Sequence, residues 1–221
     1  MDNGTEKLRL RFEKTGRAVY ISHLDLMTTM QRGFARAGLQ LKYSEGFNPH
    51  PLISILLPLS VGTASVCELM DFRLREETDL AALPERLTAV LPEGIRVLEA
   101  YVSERKSAQL KWLDVSGVFE YDHGAPETEA LEAFFARPAI VVEKKTKRGM
   151  GQSDIRPAIE RIRFKTEGED IRVTARISAQ EPTLNPDLIP GALRQLCPEL
   201  APDFAEFTRI ETYDAEMRVY R

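Results

Sequence analysis

Two histidines with unusual neighbours offer the most chemistry in this sequence. His23 opens HLDLMTTMQRGFARAG, and His50 stands between Pro49 and Pro51 in YSEGFNPHPLISILLPLSVG, residues 43–62. An imidazole pair held near one end of a sheet can act as general acid and base, as in metal-independent RNA cleavage. Tyr43 and a later basic segment would complete that kit, and Phe47 and Asn48 would line the same surface as His50. The residues also have a plainer reading. His23 can cap or pack at a helix start, and Asp25, three residues after Ser22, fits the acid position of a capping box. Pro49 and Pro51 can serve only to fix an extended entry into a strand. His123, the third histidine, falls in an expected loop, and the three do not make a metal-ligand spacing.

A second set of residues is basic. Lys144, Lys145, Lys147, Arg148, Arg156, Arg161, Arg163 and Lys165 face only Asp154 and Glu160 over residues 144–165, in a chain whose net charge is −4. KKTKRGMGQSD holds two glycines and is expected as a long basic loop. Such loops suit phosphate backbones, because Lys and Arg neutralise phosphates and release counterions. A solvated loop with no partner has the same composition. Arg161, Arg163 and Lys165 alternate with Ile162 and Phe164, which makes one face of a strand basic. The acidic end, ELAPDFAEFTRIETYDAE, is compatible with solubility, with competition for the basic loop, or with a basic partner.

Other chemistries drop out. Cys67 and Cys197 stand far apart, which excludes a disulfide scaffold, a cysteine zinc ribbon and a cysteine-ligated iron–sulfur cluster. Each reads as a small apolar residue. GxxxxGK[ST] does not occur, and KRGMGQSD lacks the spacing and the strand-to-helix context of a phosphate loop. MDNGTEKLRL has no signal-peptide core. No run approaches the ~20 apolar residues of a membrane span. The expectation is a soluble cytoplasmic protein with no membrane contact, no cofactor and no metal.

The elements that must position these residues follow from periodicity. Leu8, Leu10 and Phe12 alternate with polar residues, as in a half-buried strand. Ser22 is a good N-cap, Leu24, Met27, Met30, Phe34 and Ala37 recur at helical spacing, and Gly38 suits the C-cap. Strands are expected near 52–57, in CELMDFRL and in IRVLEAYVS, with a helix over 79–91 that holds Pro84 in its first turn. The order β-α-β-β-α-β is the ferredoxin-like unit. The polar stretch SERKSAQLK sets a boundary at 108/109, after which the order restarts. LDVSGVFEYD, PAIVVEK and FTRIETYDAEM read as strands, PETEALEAFFAR as a helix, and residues 156–178 as a hairpin turning at Glu167-Gly168-Glu169. Asn185, Pro186 and Asp187 open a last helix that ends before Pro198. The reading is α+β: two tandem ferredoxin-like domains, 1–108 and 109–221, the second with an added strand or a basic loop at 144–156. One continuous sheet with helices on one face is the alternative.

SHLDL at 22–26, YSEGFNPHP at 43–51, LPLSVG at 57–62 and DIRP at 154–157 resemble the radical SAM-linked protein family of bacteria, whose function is unknown, and the resemblance covers nearly the whole chain. It implies a partner: a radical SAM protein with a cobalamin-binding-type domain, encoded beside or fused to such chains. Neighbouring genes for ribosomal proteins and a ribonuclease of the G/E type point toward RNA. A radical SAM enzyme needs CxxxCxxC, which this chain lacks, so the resemblance implies the companion and not the enzyme. The layout also resembles that of CRISPR repeat-processing endoribonucleases, an analogy of fold alone. Three readings follow: an RNA-binding or substrate-presenting accessory protein, with Lys144, Lys145, Lys147, Arg148 and Arg156 on phosphate and Tyr43, Phe47, Asn48 and His50 on a second surface; a metal-independent ribonuclease or RNA-modifying enzyme using His23 and His50; or a protein-binding adaptor. Binding is favoured over catalysis.

Overall fold

The computed structural model describes residues 6–146 and 149–221. The chain divides into two compact units, Met1–Gln109 with Arg221, and Leu110–Tyr220. Ten strands and four α-helices are present among the described residues, a mixed α+β fold dominated by strands.

The first unit runs β1 (Leu8–Lys14), α1 (His23–Arg36), β2 (Ile53–Ile55), β3 (Ala64–Phe72), α2 (Leu83–Thr88) and β4 (Ile95–Val102). Its strands pair antiparallel in the order β4-β1-β3-β2. One face of β1 behaves as its alternation predicts: Leu10 and Phe12 are fully buried, with Leu8 and Leu10 opposite Phe72 and Met70. The α1 side chains Leu26, Met30 and Phe34 close this core, and the Phe34 and Phe72 rings meet at 4.9 Å. The other face corrects the half-buried expectation. Arg9 is also fully buried; its guanidinium donates to Asp71 at 2.6 and 3.2 Å and to the Arg105 carbonyl at 3.0 Å. Arg9 is retained there by charge pairing and hydrogen bonds. The helix expected over 79–91 shrinks to α2, with Pro84 in its first turn.

The second unit runs β5 (Trp112–Glu120), α3 (Thr128–Phe135), β6 (Val141–Thr146), β7 (Gly149–Asp154), β8 (Ile159–Glu167), β9 (Asp170–Ser178), α4 (Leu188–Leu196) and β10 (Phe204–Tyr213). Four strands form an antiparallel sheet in the order β10-β5-β9-β8. Leu113, Val115, Phe119, Ile171, Val173, Ala175 and Ile177 bury one face, with Leu131, Phe134, Phe135, Ile189 and Leu193 from α3 and α4 also in the core. Gly117 is required in β5: a Cβ there would lie 2.5 Å from the Glu206 carbonyl oxygen and 2.6 Å from the Phe207 ring.

The expected loop at 144–156 is corrected. β6 and β7 pair antiparallel from Val141↔Asp154 to Thr146↔Gly149, so the insertion is a hairpin and adds one strand more than the order read from the sequence. The pairing is fixed from outside the segment. Gln195 on α4 accepts from the Glu143 amide at 2.8 Å and donates to the Glu143 carbonyl at 3.0 Å. At the hairpin base, the Asp154 carboxylate accepts from the Ile140 amide at 2.9 Å and the Arg156 amide at 3.0 Å.

Candidate nucleic-acid interface and the Tyr43 loop

Ser22 caps α1 as expected: its hydroxyl oxygen accepts from the Asp25 amide at 3.2 Å, and its hydroxyl donates to the Asp25 carboxylate at 2.7 Å. That cap places His23 at the first helical position, half-buried, with a buried Nδ1 that has no hydrogen-bond partner among the described residues. His50 lies elsewhere. The chain leaves the C-terminal end of α1 through Gly38 and returns along 42–52 toward β2, tied by the Leu52 amide to the Lys42 carbonyl, the Ser44 amide to the His50 carbonyl, and a bridge between Tyr43 and Pro51. The His50 ring shares a hydrogen bond with the Ser44 hydroxyl through Nδ1 at 2.9 Å. The two histidines therefore flank opposite ends of a 14-residue helix, a length of about 21 Å. The reason is topological: the segment entering β2 comes from the far end of α1. The structure does not assemble them into an acid–base pair.

Tyr43, Phe47, Asn48 and His50 do share one tight loop, exposed throughout, with Phe47 fully so. Tyr43 lines a cavity of about 410 Å³ with Gln31, Gly38, Gln40 and Arg75. The Arg75 guanidinium has no partner among the described residues, so this cavity combines an aromatic wall, two amides and a free cation.

The basic residues separate into a hairpin group and a sheet group. Lys144 stands on β6 opposite Gly151, and the backbone of Lys145 pairs with Met150; Lys147 and Arg148 lie outside the described residues. Arg156 is engaged structurally, its guanidinium donating to the Ile159 carbonyl at 2.7 Å. With Asp154 closing the hairpin, this gives the DIRP motif a structural role.

On β8, Arg161, Arg163 and Lys165 are exposed, as alternation predicts. Across the ladder they join residues no sequence motif signals. Arg161 stands opposite Arg176, Arg163 opposite Thr174 and Lys165 opposite Arg172; next along, Arg176, Thr174 and Arg172 stand opposite Asp114, Ser116 and Val118 of β5. Directly opposed residues share a face. Asp114 binds the Arg176 guanidinium through both oxygens at 2.7 and 2.8 Å and Arg161 at 3.0 Å. That bond raises the Arg176 pKa, and the guanidinium lies 4.2 Å over the Tyr213 ring. Glu167 accepts from Arg172 at 2.7 Å, which lowers its pKa, and lies 3.6 Å from Lys165. Arg163 has no ion-pair or hydrogen-bond partner among the described residues. Among those residues no group of three or more His, Cys, Asp or Glu side chains could hold a metal ion.

A mixed α+β protein with an open, basic-edged sheet face is the class these features define. The chain belongs to the family described as "Uncharacterized protein conserved in bacteria (DUF2344)", whose model matches residues 7–186. Curated proteins give no match. Among solved structures, a chain in the crystal structure of a Cbf5-Nop10-Gar1 complex has a TM-score of 0.52 at 11% identity, covering 93% of this chain and 48% of that one. This chain thus spans less than half of that chain's length, and the likeness is one of fold. The crystal structure of an unknown protein from Galdieria sulphuraria matches 93% of this chain and 98% of its own at 12% identity, with a TM-score of 0.27. No helix among the described residues is long and apolar enough to cross a membrane.

Proposed function

We propose that this chain is a non-catalytic, cytoplasmic accessory protein that binds RNA and presents it to a radical SAM partner carrying a cobalamin-binding-type domain. The observation that carries the reading is the concentration of cations on one insertion and one sheet edge of the second unit, in a chain of net charge −4. Each unit is read as ferredoxin-like, supported by the order β4-β1-β3-β2 in the first and β10-β5-β9-β8 in the second, with β6–β7 as an insertion. The exposed Tyr43 loop with its cavity supplies a second, more selective surface. Tyr20, Leu24 and Val61 stand 74%, 76% and 57% exposed in the first unit and supply apolar area for a protein partner. The ribonuclease reading needs His23 and His50 together, and their placement at opposite ends of α1 does not favour it.

The test is a gel-shift titration with pooled cellular RNA in chelator, at low and physiological salt. A salt-sensitive shift with intact RNA, weakened when Lys144, Lys145, Lys147 and Arg148 are changed to Glu, is the expected result. Cleaved RNA would restore an enzyme reading. No shift at either salt would leave the adaptor reading, tested by capture of the radical SAM partner after nuclease treatment.

A further inference from the structure

The exposed face of the second unit's sheet is organised in three rows across the strands. The two outer rows are internally ion-paired, each with two cations on one carboxylate: Arg161 and Arg176 on Asp114 in one, Lys165 and Arg172 on Glu167 at the other. The middle row runs Arg163, Thr174, Ser116, Thr208, each opposite the next across β8, β9, β5 and β10. No hydrogen bond or ion pair engages any of these four side chains among the described residues; Arg163 and Thr174 are exposed, Ser116 and Thr208 half-buried.

We propose that this middle row is a binding track for single-stranded RNA, with a phosphate on Arg163 and ribose 2′-hydroxyls on Thr174, Ser116 and Thr208. The inference rests on the RNA-binding reading and names a site on the sheet, apart from the β6–β7 hairpin. Three arguments carry it. Neighbouring strands lie about 4.8 Å apart, so Arg163 and the three hydroxyls form one line across four strands, with the cation at the β8 end. Hydroxyl groups both donate and accept, which matches the 2′-hydroxyl, the group by which a protein tells RNA from DNA. The surface is a strand ladder, suited to a chain laid flat across it, and sequence-tolerant contacts to single strands use such grooves and platforms. The ion pairs on either side fix the flanking guanidinium groups and leave the middle row the most available.

The experiment uses the full chain and a fluorescein-labelled 20-nucleotide oligouridylate, with the matching deoxyuridylate as control, by anisotropy over a salt series. Arg163→Glu is expected to weaken RNA binding severalfold and to flatten the salt slope by about 0.7, one phosphate contact on a single strand. Arg163→Gln, milder for the fold, should shift both in the same direction. Ser116→Ala, Thr174→Val and Thr208→Val together should leave the salt slope unchanged and erase most of the preference for RNA over DNA. Thermal melts of each variant separate loss of binding from loss of fold. Wild-type binding that none of these variants alters would overturn the track and leave RNA binding through the hairpin standing. Equal wild-type binding of both oligonucleotides would overturn the hydroxyl role. No wild-type binding at any salt would overturn both readings.

Discussion

At the scale of single residues, one buried charge outside the candidate interface carries a testable pH dependence. Lys14 ends β1 with its ammonium buried and donates to the Val19 carbonyl at 2.9 Å. Burial pushes its pKa down, and the negative charge of Glu68, itself 1% exposed, pulls it partly back. Lys14→Met removes a cation that acts on the buried Glu68 carboxylate and is expected to cost up to about 3 kcal/mol in urea unfolding, with Glu68→Gln added to Lys14→Met recovering part of it. The pH dependence has a definite sign. A lysine with a lowered folded pKa binds fewer protons folded than unfolded between that value and the usual 10.5, so its contribution to stability rises with pH across that window and is flat below it. Tyr121, pushed up to about 12 by burial, contributes the opposite slope above its usual 10.0. The difference between wild type and Lys14→Met isolates the lysine, and no rise in that difference would overturn the assignment. Legibility at this scale is uneven. Ser22 and Asp25 are readable because a cap is local in sequence, and Arg163 because alternation is local. Arg9 is not, since its partner Asp71 lies 62 positions away, nor is the row through Thr174, Ser116 and Thr208, since register between strands is written in no short window.

At the scale of elements, the β6–β7 hairpin shows how tertiary partners override local propensity. GMGQSD has two glycines and no β-branched residue, so nothing in it signals a strand. It pairs because Val142 and Ile155 are buried at its base, Asp154 closes that base, and Gln195 grips Glu143 from α4. α1, by contrast, is legible at both ends and along most of its length: Ser22, Met30, Phe34 and Gly38 at φ +69° all lie within or beside its own segment, but Leu24, expected on the apolar face, is exposed and Leu26 takes the core position. Gln195→Ala removes the acceptor for the Glu143 amide and should loosen the hairpin by about 1 kcal/mol, roughly fivefold in exchange rate at that amide. Amide hydrogen exchange followed residue by residue checks it, with the Ile162 and Val173 amides of the main sheet as internal reference. Equal protection at Glu143 in both proteins would mean that the hairpin holds itself. Asp154→Ala should open the base as well, with faster exchange at Ile140 and Arg156, whose amides it accepts.

At the scale of the whole molecule, charge is segregated and the total conceals it. The sequence pI is about 5.6, yet eight cations face two carboxylates over residues 144–165. A uniformly mixed surface of net −4 would be repelled by a polyanion at neutral pH. A segregated one is drawn to it, because a local patch within a Debye length of about 8 Å at physiological salt dominates over distant charge. The chain should therefore be retained on heparin at pH 7 and low salt, and on an anion exchanger as well. Changing Lys144, Lys145, Arg163 and Lys165 to Glu should abolish the first and strengthen the second. Flow-through of the wild-type chain on heparin would show that the cations are masked, and the RNA-binding reading would lose the observation that carries it. Retention that survives the fourfold change would place the polyanion contact on the cations left in place, with Lys147 and Arg148 the next to change and Arg75 beside Tyr43 after them.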